Sequence, residues 1–115
     1  TPSASGLANA IMLDAKDDNI AVPSEFGLYP AYPNPFNPST EIVYSVSERS
    51  LVELGIYDML GRKISTLVSG YHDPNKYSVV WNGTNNNGIQ VPAGVYFYRM
   101  STESFSEVKK VILLK

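Results

Sequence analysis

From Glu41 onward the chain repeats one pattern: a short run alternating apolar and polar residues, then a cluster of turn formers. In "EIVYSV" a period of two puts Ile42, Tyr44 and Val46 on one face. In "LVELGIYD" it puts Val52, Leu54 and Ile56 on one face, with Leu51, Glu53, Gly55 and Tyr57 on the other. "KISTLV" turns Ile64 inward, with Leu67 or Val68, and "YSVVWN" alternates Tyr77, Val79 and Trp81. "VYFYRMST" is rich in aromatic and branched residues, and "EVKKVILLK" supplies the last strand. The breaks are as regular as the runs. They are "SERS", "MLGR" with Gly61 at a tight hairpin, "SGYHDPNK" as a loop, and "GTNNNGIQVPAG" with the turn pair Asn87 and Gly88. No segment offers the helical crossover that a parallel sheet requires. The expectation is an all-β fold, an immunoglobulin-like antiparallel β-sandwich of about seven short strands, with a partly open barrel as the alternative. Its expected core is Val52, Leu54, Ile56, Val79, Trp81, Val95, Phe97, Ile112 and Leu114.

Ahead of these strands stands "YPNPFNP", residues 32–38. Its three prolines remove backbone donors and fix φ, so it forms neither a helix nor a central strand. A spacer has no need of the rings of Tyr32 and Phe36. The stretch reads as a latch: prolines holding the chain extended, both rings packing where the first strand begins, and Asn34 and Asn37 shaping the turns. Residues 1–22 show no sustained period and read as a linker or the tail of an upstream domain, leaving 23–115 as the folded unit. A short helix or strand fits at 8–13, and Phe26 and Leu28 suit a short extended segment that packs. The chain opens at Thr1 on a polar stretch, which reads as a fragment of a longer protein.

At 115 residues, 43% hydrophobic and 17% charged, the sequence suits one globular domain. Its net charge of −2 and scattered basic residues argue against nucleic acid, which needs a clustered basic face. No run approaches the ~20 apolar residues of a membrane-spanning helix. With no cysteine and one histidine, His72, expected in solvent, thiol catalysis and multi-histidine metal centres are excluded. No strand end gathers a nucleophile with a base, and no carboxylate pair is singled out by its surroundings. The chain reads as a non-enzyme with no cofactor and no metal.

The ordered set "YPNPFNPSTEIVYSV", "VELGIYDMLGRKISTLV", "YSVVWNG", "NNNGIQVPAGVYFYRM" and "KKVILLK" at the terminus resembles the type A C-terminal sorting domain of type IX secretion. It is also similar to the immunoglobulin-like domain of the flagellar hook-capping protein. The resemblance covers roughly residues 23–115. It implies an address label on a larger cargo protein that crosses the periplasm and ends secreted or on the cell surface. The implied partners are the upstream cargo domain, the outer-membrane translocon and a surface sortase. The implied secretion signal is Gly94, Val95 and Tyr96 together with Lys109, Lys110, Val111, Ile112, Leu113, Leu114 and Lys115. Phe97 and Tyr98 complete the matching strand, and Leu60, Gly61 and Arg62 match a family hairpin. Tyr32, Pro33, Asn34, Pro35, Phe36, Asn37 and Pro38 match the motif that opens the domain. Asn82 stands where the family commonly has Asp, which weakens any metal site there. The cleavage point lies in the family's variable linker, for which 1–22 is the candidate region.

Simpler readings stand beside these. The three terminal lysines fit an acidic surface on the export machinery, or edge protection against sheet-to-sheet aggregation, with weak self-association through the terminal strand. Lys109 and Lys110 are adjacent and point to opposite faces. Tyr77, Trp81, Tyr96 and Tyr98 suit a sugar-stacking platform, as in a carbohydrate-binding or structural accessory module, or a core with cross-strand aromatic pairs. "NGTNNNG" offers oxygen ligands to calcium, but lacks carboxylates and reads better as turn-forming asparagines. Its sequon at Asn82 is incidental. Asp14, Asp17 and Asp18 read as a solvated linker.

Overall fold

Each long strand buries one face, as the alternation demands. The computed structural model describes residues 11–12 and 22–115. Six long strands carry the fold: β3 (Thr40–Val46), β4 (Ser50–Tyr57), β5 (Lys63–His72), β6 (Asn75–Trp81), β7 (Gly94–Ser101) and β8 (Ser106–Leu113). Two short ones, β1 (Ile11–Met12) and β2 (Gly27–Leu28), complete the sheets. The described residues contain no helix. One sheet runs β1-β6-β3-β2 and the other β5-β4-β7-β8, with every pairing antiparallel. The result is the expected all-β sandwich of immunoglobulin-like type. Ile42, Tyr44, Val46, Val52, Leu54, Ile56, Tyr77, Val79 and Trp81 fill its middle.

Turn chemistry fixes the corners. In the β4–β5 hairpin Asp58 Oδ1 accepts the Leu60 and Arg62 amides, and Gly61 takes φ +83, which an L side chain resists. Arg62 N–H and, beyond it, the guanidinium hold the Asp58 carboxyl below its ordinary range. Asn85 Oδ1 accepts the Asn87 and Ile89 amides, and Asn86 Oδ1 accepts Thr66 N–H. The asparagine cluster is therefore turn-forming. Ladder irregularities after Leu54 and after Ile56 leave Leu67 and Ile64 without opposite residues on β4, so Leu67 and Val68 are both buried.

Several expectations are overturned. On β7 and β8 the buried residues are Tyr96, Tyr98, Met100, Val111 and Leu113, whereas Val95, Phe97, Ile112 and Leu114 face outward. Both faces of these strands are apolar, so alternation alone leaves their parity open. What decides it is that the buried tyrosine hydroxyls have partners. Tyr98 Oη accepts Ala31 N–H at 2.8 Å and donates to Tyr29 C=O at 2.9 Å, and Tyr96 donates to Pro92 C=O. "SGYHDPNK" is no loop: β5 runs to His72 and β6 starts at Asn75. His72 is buried, not in solvent. Tyr32 is 80% exposed and pairs with Glu41 through its backbone alone, whereas Phe36 is buried as expected. Phe26 stacks on Phe105 at 5.6 Å beside the short strand β2. Within the presumed linker, Ile11–Met12 pairs with β6; Asp14, Asp17 and Asp18 lie outside the described residues.

Candidate recognition surface

The residues singled out near Gly94 and at the terminus come together on one ribbon. In the β7–β8 register Gly94 lies opposite Leu113, Val95 opposite Ile112, Tyr96 opposite Val111, and Phe97 opposite Lys110. Tyr96, Val111 and Leu113 point into the core, while Val95, Lys110 and Ile112 point out. The last two residues leave the strand: Leu114 is exposed, and Lys115 Nζ donates to Gln90 Oε1 at 3.0 Å. Lys109 and Lys110 do take opposite faces. Lys109 lies on the core side of β8 near Glu107, at 3.3 Å, and Lys110 stands on the outer face.

The proline-rich stretch is joined to this ribbon, which the sequence did not suggest. Lys110, Ile112 and Leu114 direct their backbone away from β7, along an edge that would otherwise be free. Phe36 N–H donates to Ile112 C=O, and Leu114 N–H donates to Phe36 C=O, each at 2.9 Å. Asn34 acts as a surrogate strand residue: its Oδ1 accepts Ile112 N–H at 3.0 Å and its Nδ2 donates to Lys110 C=O at 3.1 Å. Asn34 thus caps a distant strand and does not merely shape its own turn. Phe36 enters the β8 ladder, although the prolines were expected to keep this stretch out of the sheet. The bonds preceding Pro33, Pro35 and Pro38 are cis. The Phe36 ring packs on Trp81 at 5.3 Å, and Trp81 meets Tyr96 edge-on at 5.4 Å. Gly83 lets Leu113 approach: a Cβ there would lie 3.3 Å from the Leu113 side chain, and φ is +78.

The outer face of the β5-β4-β7-β8 sheet is apolar and cationic. Tyr57, Phe97 and Lys110 form one row across it, and Gly55, Arg99 and Val108 the next. A depression is lined by Tyr57, Asp58, Met59, Phe97, Arg99 and Val108, with Met59 and Val108 exposed and Asp58 paired with Arg62. Arg99 Nε donates to Ser106 Oγ, and neither Arg99 nor Lys110 has an ion-pair partner among the described residues. Two further cations of this face are paired, Lys63 with Glu53 and Arg49, over the Tyr71 ring, with Asp73. Contiguous exposed apolar surface of this kind marks interaction sites on soluble domains. Arg99 drew no attention in the sequence; only the register sets it beside Val108 and Phe97.

Tyr77, Trp81, Tyr96 and Tyr98 form no sugar platform, since all four are buried. Burial raises the phenol pKa of Tyr77, Tyr96 and Tyr98. The described residues hold no cluster of three or more potential metal ligands among His, Asp and Glu.

Comparison with known proteins agrees with this fold. The family model described as "Secretion system C-terminal sorting domain" matches residues 30–114. Among solved structures, dimeric latent PorU from Porphyromonas gingivalis is similar at 25% identity and TM-score 0.63, covering 85% of this chain and 10% of its own. PorZ, an essential surface component of the type-IX secretion system of the same organism, is similar in fold at 21% identity and TM-score 0.54, covering 77% of this chain and 12% of its own. The chain thus spans about a tenth of the length of these proteins. No curated protein matches it.

Proposed function

Because the chain belongs to the secretion system C-terminal sorting domain family, and is itself a C-terminal sorting signal of type IX secretion, we propose that residues 23–115 are read through the outer face of the β7–β8 ribbon. A sorting domain of this family is not itself catalytic, and its role implies export to the cell surface or the medium. The cargo is the part of the parent chain upstream, with residues 1–22 as the tether. The route runs through the periplasm to the outer-membrane translocon, and a surface sortase acts on the tether afterwards.

The observation that carries this reading is the register of β7 and β8. It unites Gly94, Val95 and Tyr96 with residues 109–113 on one ribbon. On the outer face of that ribbon two cations without ion-pair partners stand among apolar side chains, which suits an acidic and apolar partner surface. Residues 34–36 occupy the outer edge of β8, so self-association through the terminal strand requires that latch to open first.

The test is a fusion of residues 23–115 to a periplasmic reporter in a host with type IX secretion. Export of the reporter is expected, and a reporter that stays periplasmic would refute the reading. Combined Arg99→Glu and Lys110→Glu changes sit on the surface and leave the core intact, so the fusion stays folded. Export is expected to fall at least about tenfold, since charge reversal juxtaposes like charges at the interface. Unchanged export would move recognition to another face.

A further inference from the structure

The lateral side opposite β8 carries a second feature. β1 lies antiparallel on the outer edge of β6, with Ile11 opposite Ser78 and Met12 opposite Tyr77. Backbone directions on β6 follow from the neighbouring strand. Glu41 exchanges both of its backbone hydrogen bonds with Tyr32, and Val43 C=O accepts Tyr29 N–H. Those residues of β3 therefore face away from β6. Thr40, Ile42 and Tyr44 bond instead to Trp81, Val79 and Tyr77. Lys76, Ser78 and Val80 are left with their backbone groups aimed at the outer edge. Ile11 thus stands at a position where an added strand can exchange both bonds.

Burial agrees with that register. The side chains of Lys76, Ser78 and Val80 all point away from the core. Lys76 is exposed and Val80 is 56% exposed, yet Ser78 between them is only 4% exposed. Ser78 is the residue that lies opposite Ile11. Beyond it the edge opens into a groove between β6 and β5, lined by Ser65, Leu67, Val80, Trp81 and Asn86.

We infer that the β6 edge is a strand-docking site for the chain's own upstream segment, and that docking withholds this segment from proteases. A backbone held in a ladder does not offer itself as an extended substrate until the pairing opens. The tether is then presented only on release from an edge remote from the recognition ribbon. This goes beyond the sorting reading and does not depend on it.

The test uses the full chain and its Ile11→Pro variant. Proline at 11 removes the N–H that this register aims at Ser78 C=O. Amide exchange at Ser78 is expected to quicken at least about tenfold, with Val79, bonded to β3, unchanged. A non-specific protease under native conditions is expected to cut around residues 11–12 at least about tenfold faster in the variant. Ile11→Thr keeps the N–H and strand propensity and is expected to match the parent in both readouts. Equal Ser78 exchange in parent and proline variant overturns docking. Faster exchange with unchanged cutting overturns the withholding.

Discussion

His72 packs against both Tyr44 and Tyr77, with ring centroids 5.8 and 4.5 Å away, and those two rings stack on each other at 5.5 Å. Its Nδ1 lies 3.2 Å from Gly70 C=O, which can only accept, so Nδ1 carries the proton. Nε2 is then the acceptor for the Tyr44 hydroxyl at 2.9 Å. This arrangement suits the neutral ring. Burial holds the pKa below its ordinary 6.5, while the Gly70 bond and the Asp73 charge pull weakly the other way. The unfolded chain therefore binds more protons than the folded one near and below pH 6.5. Stability is full above that pH and is lost as pH falls through the depressed folded value. Urea midpoints measured from about pH 7.5 down to about pH 5.5 are expected to decline in the parent. His72→Gln, less stable at the outset, is expected to give a flat profile over the same range. A flat parent profile would contradict this account. "GYHDPNKY" contains Tyr77 but not the acceptor geometry, because Tyr44 comes from β3, 28 residues earlier in the chain.

At the level of elements, β8 is an edge strand that does not present an open edge. Edge strands invite pairing, and proteins blunt them with charge or cover. This one has both: Lys109 and Lys110 along its middle, and the proline-rich latch over its end. Asn34 supplies two of the four hydrogen bonds that hold the latch there, whereas Asn37 makes none among the described residues. Asn34→Ala gives the Ile112 amide and the Lys110 carbonyl over to water and is expected to cost about 1 kcal/mol. Asn37→Ala is expected to stay within about 0.5 kcal/mol. Denaturant midpoints check both, and Ile112 amide exchange should quicken only in the first. Equal midpoints would remove Asn34 from the latch. The sequence marked this motif as structural and correctly buried Phe36. It could not show where Asn34 reaches, since its partners lie 76 and 78 residues away.

For the whole molecule, Phe36, Trp81 and Tyr96 tie the latch, the β6 sheet and the β7 sheet into one core. Trp81 also donates its indole N–H to Thr84 C=O at 2.9 Å. Trp81→Ala is expected to cost about 3–5 kcal/mol, a large share of the ~5–15 kcal/mol that a small domain has in total. A single cooperative unfolding transition shifted by that amount checks it; a shift below about 1 kcal/mol would show that the two sheets do not depend on this contact. Deleting residues 109–115 removes a strand as well as any signal, so export lost on deletion alone does not separate address from fold; the surface changes at Arg99 and Lys110 do. The long strands, the turns at Gly61 and the asparagine cluster, and the antiparallel sandwich were determined by the sequence itself, because alternation and turn chemistry act over a few neighbouring residues. Only the tertiary structure decided which face of β7 and β8 turns inward, that Asn34 caps β8, that Ile11–Met12 adds to β6, and that His72 is buried. Each of these depends on hydrogen bonds and packing between segments far apart in the chain, and local pattern carries no record of which distant partner will meet them.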